Sequence, residues 1–233
     1  MADPNIELLI QVAEALGDLR ERVVLVGGCA TALLITDPAA TDVRATKDVD
    51  AIIAIVSKSA YYDLGEALRA RGFSQPLEEG DPPFCWTFAG MKLDMMPIDP
   101  DVLGFSNRWY ELAMQTAISV MLREGLSIRH VTSTCFVATK LVAFLDRGKG
   151  DYLTSHDLED IISVVDGRSE LVEELGRADS ELREYVAEVF ANLLANEGFL
   201  NALPGLVLEG SPANRSPVVL QRLRAIAQMK GDA

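Results

Sequence analysis

Histidine is nearly missing from this chain: His130 and His156 are the only two in 233 residues. A metal site here must therefore draw on carboxylate oxygen, which favours Mg2+ or Mn2+ over zinc. Cysteine is scarce too. Cys29, Cys85 and Cys135 are odd in number, far apart and without CxxC spacing, which argues against both a disulfide framework and a thiolate zinc centre. No apolar run approaches the roughly 18 residues of a membrane-spanning helix. The N-terminus also lacks the basic segment and apolar core of a signal peptide. A cytoplasmic protein with no membrane partner is expected. Basic residues are in deficit, 21 Lys and Arg against 35 Asp and Glu, for a net charge of −14. That balance argues against a broad nucleic-acid footprint but leaves room for a local basic patch.

What is present is an ordinary globular composition, 49% hydrophobic and 24% charged, long enough for one large domain or two small ones. Asp3-Pro4 followed by Glu7 predicts a helix start, and Gly17 its end. Val23 to Val26 reads as a strand, Gly28 opens a short helix through Leu34, and Thr36 to Thr46 reads as a loop. A second strand is expected over about 47–56, then a helix over 59–71 and a turn at Gly80-Asp81-Pro82-Pro83. Next comes a hairpin about Ala89-Gly90, joining Phe84–Phe88 to Met91–Met96. A helix near 109–116 and strands over 118–122 and 127–131 follow. From Cys135 the periodicity is helical almost to the end. The composition shifts near Val131, dividing a mixed half, 1–132, from a helical half, 133–233. Residues 169–198 carry eight acids against Arg177 and Arg183, the pattern of a solvated surface.

The informative residues sit at strand ends. Val23-Val24-Leu25-Val26 runs into Gly27-Gly28, where backbone N–H groups are free and small residues let a phosphate approach. A tight strand-to-helix turn explains two glycines equally well, and no P-loop or GxGxxG pattern follows. Asp48 and Asp50, at i and i+2 on a strand, project from one face. They open the apolar run Ala51–Val56, where paired carboxylates are costly without a cation or a basic partner. The hairpin adds Asp94 between Leu93 and Met95. A solvent-facing position accounts for one such acid less strainedly than for three.

Together these residues resemble the polymerase-β type of nucleotidyltransferase fold, and within it the AbiEii-type nucleotidyltransferases, a group that includes bacterial toxins. The similarity lies in Val26-Gly27-Gly28-Cys29-Ala30, Arg44-Ala45-Thr46-Lys47-Asp48-Val49-Asp50 and Lys92-Leu93-Asp94. In the helical half it lies in Lys140–Arg147 and Asp157-Leu158-Glu159-Asp160. It spans roughly residues 20–165, and departs from the family pattern where His156-Asp157 replaces a frequent Arg-Asp. The resemblance implies an α/β fold of the α+β kind: a mixed-sheet nucleotidyltransferase core followed by a C-terminal helical subdomain. It also implies an enzyme that moves a nucleoside monophosphate from an NTP to an acceptor hydroxyl. Asp48 and Asp50 would hold Mg2+ (or Mn2+), while Asp94 would complete the metal cluster or accept a proton. Gly27 and Gly28 would position the triphosphate, and Lys140 and Lys47 would neutralise it.

Helical geometry bears on the second half separately. Lys140 falls between Phe136 and Phe144 on an apolar stripe, with Arg147 on the same face. A snorkelling lysine is one explanation and a phosphate contact the other. On the phosphate reading the ammonium is poorly satisfied until nucleotide binds, so Lys140→Met should leave stability unchanged or slightly improved. On the next helix Asp157 lies beside the stripe Leu158, Ile161, Ile162 and Val165, with Asp160 nearer the opposite side, which selects Asp157. Three functions stay open. One is modification of RNA, a tRNA end in particular, by a toxin with an antitoxin protein as partner. Another is adenylylation of a small molecule or protein. The third is a non-catalytic module that senses nucleotide or binds protein.

Overall fold

Asp3 starts the first helix by two devices at once. Its carboxylate accepts the backbone N–H groups of Asn5 and Ile6, and Pro4 occupies the first helical position. The helix, α1 (Pro4–Leu16), ends at Gly17, whose φ of 59° suits a residue without Cβ. The computed structural model describes residues 3–40, 43–76, 82–148, 150–207 and 214–230. Gly80 and Asp81 of the expected turn lie outside them.

After α1 come β1 (Val23–Val26), a 3-10 turn over Gly28–Ala30, α2 (Thr31–Leu34), β2 (Asp48–Ile53) and α3 (Lys58–Arg69). They are followed by β3 (Cys85–Phe88), β4 (Met91–Pro97), α4 (Pro100–Leu103), α5 (Tyr110–Thr116), β5 (Ile118–Arg123) and β6 (Leu126–His130). The remainder is helical: α6 (Ser133–Arg147), α7 (His156–Gly167), α8 (Leu171–Arg177), α9 (Ser180–Leu194), α10 (Glu197–Leu206) and α11 (Ser216–Ala227). The fold is of mixed α+β class: among the described residues 56% are helical and 15% in strands, the latter forming a six-stranded mixed sheet. No helix among the described residues is long and apolar enough to cross a membrane.

The chain divides into two compact units. The first, Met1–Ala32 with Ala45–Thr132, holds the sheet, in the order β3-β4-β2-β1-β6-β5. β2 runs antiparallel to β1 and parallel to β4, and β1 runs parallel to β6. The apolar stretch expected to remain strand through Val56 leaves the sheet at Ile53, and Val56 is 71% exposed. The Ile53 carbonyl accepts from the Ile98 N–H at 3.1 Å and, across a tight turn, from the Ile55 N–H at 2.9 Å, which turns the chain out of the sheet. The hairpin between β3 and β4 turns at Ala89 and Gly90, both at positive φ, 48° and 84°. A two-residue turn needs this geometry to match the strand twist, and an alanine adopts it at a cost of about 1 kcal/mol. Replacing Ala89 by Gly or Asn should therefore raise the melting temperature by roughly 2–4 °C. Thermal unfolding followed by circular dichroism reads this directly, and an unchanged midpoint would show that the alanine is not strained.

The second unit is Leu33–Arg44 with Ser133–Ala233. Residues 33–44, expected to belong with the first 132, sit instead with the helices, for a polar reason. The N–H groups of Thr36 and Asp37 both donate to the Gly167 carbonyl at 2.9 Å. Arg168 donates to the Leu34 carbonyl, and Arg215 bridges Asp37 and Asp166 at 2.7 and 2.6 Å. Gly167 lets these segments approach closely: a Cβ there would come within 2.6 Å of Ile35 Cδ1 and 2.9 Å of its Cγ2, so the Ile35 side chain would have to move. The apolar core of the unit joins Phe136, Leu141 and Phe144 of α6, Leu158, Ile161, Ile162 and Val165 of α7, Val186 and Phe190 of α9, and Leu223 and Ile226 of α11. Each large side chain contributes about 1.5–3 kcal/mol through burial. The acid-rich stretch lies on α8–α10, whose inner faces bury Leu171, Leu175, Leu182 and Phe199.

Candidate active site

The sheet register brings the acids of the first unit onto one face. Asp50 is opposite Val26 on β1 and Asp94 on β4, and Asp94 is opposite Cys85 on β3. Asp48, two residues before Asp50, lies on the same face opposite Lys92. One row thus reads Val26–Asp50–Asp94–Cys85 and the next Asp48–Lys92–Thr87. Asp50 and Asp94 are half-buried, while Asp48, Lys92 and Lys47 are exposed. The intervening Val49, Ala51, Leu93 and Met95 point to the other face and are buried.

Gly27 explains how Asp50 is accommodated at the end of β1. A Cβ on Gly27 would lie 2.8 Å from the Asp50 Cβ and overlap its carboxylate, and Gly27 has a φ of 71°. The glycine leaves the volume that the carboxylate occupies, a packing role that adds to the phosphate-positioning role expected of the pair. Gly28 is buried and opens the 3-10 turn, where the Ala30 N–H donates to the Gly27 carbonyl and Cys29 Sγ to the Val26 carbonyl. Gly27→Ala should lower unfolding free energy by about 2 kcal/mol or more, from combined strain and overlap. A urea melt with a wild-type midpoint would show that the strand end yields instead.

The donor set suits a hard divalent cation: three carboxylates, two of them in register on adjacent strands, beside a glycine that makes room. Among the described residues, no three acidic, His or Cys side chains converge on one point as they stand. Gly27, Gly28, Lys47, Asp48, Asp50 and Asp94 all belong to the first unit, and Lys140 and Asp157 to the second.

Within the second unit Lys140 is not the unsatisfied ammonium that its stripe position implied. Its Nζ donates to Asp157 Oδ1 at 3.0 Å and to Asp160 Oδ2 at 2.7 Å, with all three side chains no more than 10% exposed. Arg147 adds a two-pronged contact to Asp157, Nε to Oδ2 at 2.8 Å and Nη2 to Oδ1 at 2.9 Å. On the other side, Arg44 approaches Glu159 at 3.3 Å and Asp160 at 3.5 Å. Selecting Asp157 over Asp160 is thereby corrected. On α7 residues i and i+3 are neighbours, so both carboxylates reach one ammonium. Burial pushes the Asp157 carboxyl up, but the Arg147 hydrogen bonds and the Lys140 and Arg147 charges outweigh it and hold it below the usual carboxylate range. Two further cations have local partners. Arg129 donates to the Met114 carbonyl, and Arg168 grips Glu174 with two hydrogen bonds.

The sequence reading missed Arg44 and Asp160 in this network. The signal was present in the i, i+3 spacing of Asp157 and Asp160 and in a cation at the edge of an acidic motif. Compared with known proteins, the chain matches no family model and no curated protein. The acidic face and the strand register carry the functional reading.

Proposed function

We propose that the protein is a divalent-metal-dependent nucleotidyltransferase that moves a nucleoside monophosphate from an NTP to an acceptor hydroxyl, with release of pyrophosphate. One observation carries this reading: Asp50 and Asp94 are paired in register on parallel strands, Asp48 shares their face, and Gly27 gives up its side-chain volume to the Asp50 carboxylate. Asp48, Asp50 and Asp94 would hold Mg2+ or Mn2+. When bound, the cation supplies charge neutralisation at phosphate oxygens and lowers the energy of charge developing at phosphorus. The chain's own groups do the rest. Gly27 and Gly28 let the triphosphate approach the backbone closely. Lys47, exposed beside Asp48, offsets phosphate charge. Asp94, on the strand neighbouring both other acids, is placed to accept the acceptor's proton.

The resemblance to AbiEii-type enzymes supports RNA, including a tRNA end, as acceptor, and with it an antitoxin partner. The net charge of −14 favours a small-molecule or protein acceptor instead. Incubating the protein with each α-labelled NTP and Mg2+, together with total RNA or soluble protein, decides both questions. Metal-dependent transfer of label into one pool identifies the acceptor class. No transfer from any NTP to any acceptor, small hydroxyl compounds included, overturns the assignment.

A further inference from the structure

β5 ends the sheet, with β6 on its inner side and, among the described residues, no strand on its outer side. A bare edge offers a row of main-chain donors and acceptors to any other strand. Proteins commonly blunt it with charge, proline or a covering segment. The opposite edge is covered in this way. Ser74 pairs with Thr87 of β3, its N–H donating to the Thr87 carbonyl at 2.9 Å and its carbonyl accepting the Thr87 N–H at 2.7 Å. β5 is the longer edge, six residues against the four of β3. Neither a charged residue nor a proline occurs from Leu112 to Leu122, in a chain with 24% charged residues. The charge that closes the strand, Arg123, is engaged by Glu14 of α1.

Apolar surface also runs off this edge. Val120 is in register with buried Ile128 on β6, yet Val120 and Leu122 are only half-buried. Ser119 and Met121 alternate with them and are exposed, Met121 by 68%. The register shift against β6 falls between Met121 and Arg123, so the irregularity is confined to the end of the strand. A second copy fits this edge because β5 is complementary to itself. A two-fold axis through Val120 sets the strand antiparallel to its copy, with Val120 against Val120, Ile118 against Leu122 and Ser119 against Met121. Apolar side chains then meet on the half-buried face, and a small one meets a large one on the exposed face. Arg123 falls opposite Ala117, so no like charges are opposed. Each copy carries a net charge of −14, and an uncharged strand is where two copies approach at least electrostatic cost. Ser74 covers the other edge, so pairing stops at two copies.

We infer that the protein self-associates through β5, two copies joining their sheets by antiparallel main-chain pairing about Val120. One strand pair makes a small interface, so the dimer is weak, with a dissociation constant on the order of micromolar. β1 and β6 separate β5 from the acid-bearing β2 and β4, and the inference does not depend on the nucleotide-transfer reading. Sedimentation equilibrium of the full chain, from well below to well above micromolar concentration, tests it. The average mass should rise with concentration from 25.3 kDa towards twice that value. Ser119→Lys with Met121→Lys, both at exposed positions, sets lysines opposite each other and should raise the dissociation constant about tenfold or more. Ser119→Glu with Met121→Lys sets opposite charges in the same pairs and should associate at least as tightly as the wild type. Circular dichroism checks that both variants remain folded. A wild type that stays monomeric overturns the inference, as does growth beyond two copies. So does a double-lysine variant that dimerises like the wild type, or a Glu–Lys variant that associates no better than the double-lysine one.

Discussion

Replacing Asp48 and Asp50 together by asparagine is expected to abolish metal-dependent nucleotide transfer and to leave the protein folded. A metal that neutralises phosphate charge is worth several kcal/mol at the transition state, so turnover should fall by about three orders of magnitude or more. Asparagine keeps the shape of each side chain but lacks the charge that draws a divalent cation. Asp48 is exposed and Asp50 half-buried at the strand end, so neither amide is forced into the core. Asp50 and Asp94 are in register on neighbouring strands, where like charges destabilise. Without metal, the melting temperature of the double variant should therefore be at or above that of the wild type. Asp94→Asn separates chemistry from binding: the rate of the chemical step should fall far more than nucleotide affinity. Transfer at the wild-type rate in the double variant would remove these residues from the reaction.

What could be read from the sequence was what is encoded locally. Val23–Val26 is a β-branched run closed by glycines, and it is a strand. Asp48 and Asp50 alternate along β2 as their spacing requires, and the cap at Asp3 and the turn at Ala89-Gly90 lie where short-range chemistry puts them. Two misreadings share a different cause: each turned on a partner remote in the chain. Residues 33–44 look like a loop of the first half because nothing nearby says that Gly167, Arg168 and Arg215 will bind them. Lys140 sits on an apolar stripe, which tells where its helix is buried but not what its ammonium meets. Its two carboxylates arrive from α7, 17 and 20 residues further on.

That pairing reverses the expectation for Lys140→Met. With the ammonium unsatisfied, the substitution would be neutral or stabilising. With Nζ between two buried carboxylates, it leaves Asp160 and Asp157 short of a partner in a site shielded from water, and breaking such a pair from one side costs about 3–5 kcal/mol. Arg147 still holds Asp157 and Arg44 stands 3.5 Å from Asp160, so the lower end applies: about 3 kcal/mol, or a melting temperature lower by roughly 6–12 °C. A double-mutant cycle isolates the contact. Asp160→Asn removes the charge that Lys140→Met strands, so the double variant should be less destabilised than the two singles added together, by more than about 1 kcal/mol. Acid titration supplies a second signature. The folded carboxyl of Asp157 titrates below its unfolded value, so its contribution is whole above the usual carboxylate range and is lost as pH falls through the depressed folded value. Asp157→Asn should flatten that acid limb of the stability profile, and Lys140→Met should shift it to higher pH. If Lys140→Met instead melts with the wild type while affinity for a non-hydrolysable NTP with Mg2+ drops, the lysine belongs to nucleotide binding. The ion pairs would then be a resting arrangement that the triphosphate displaces.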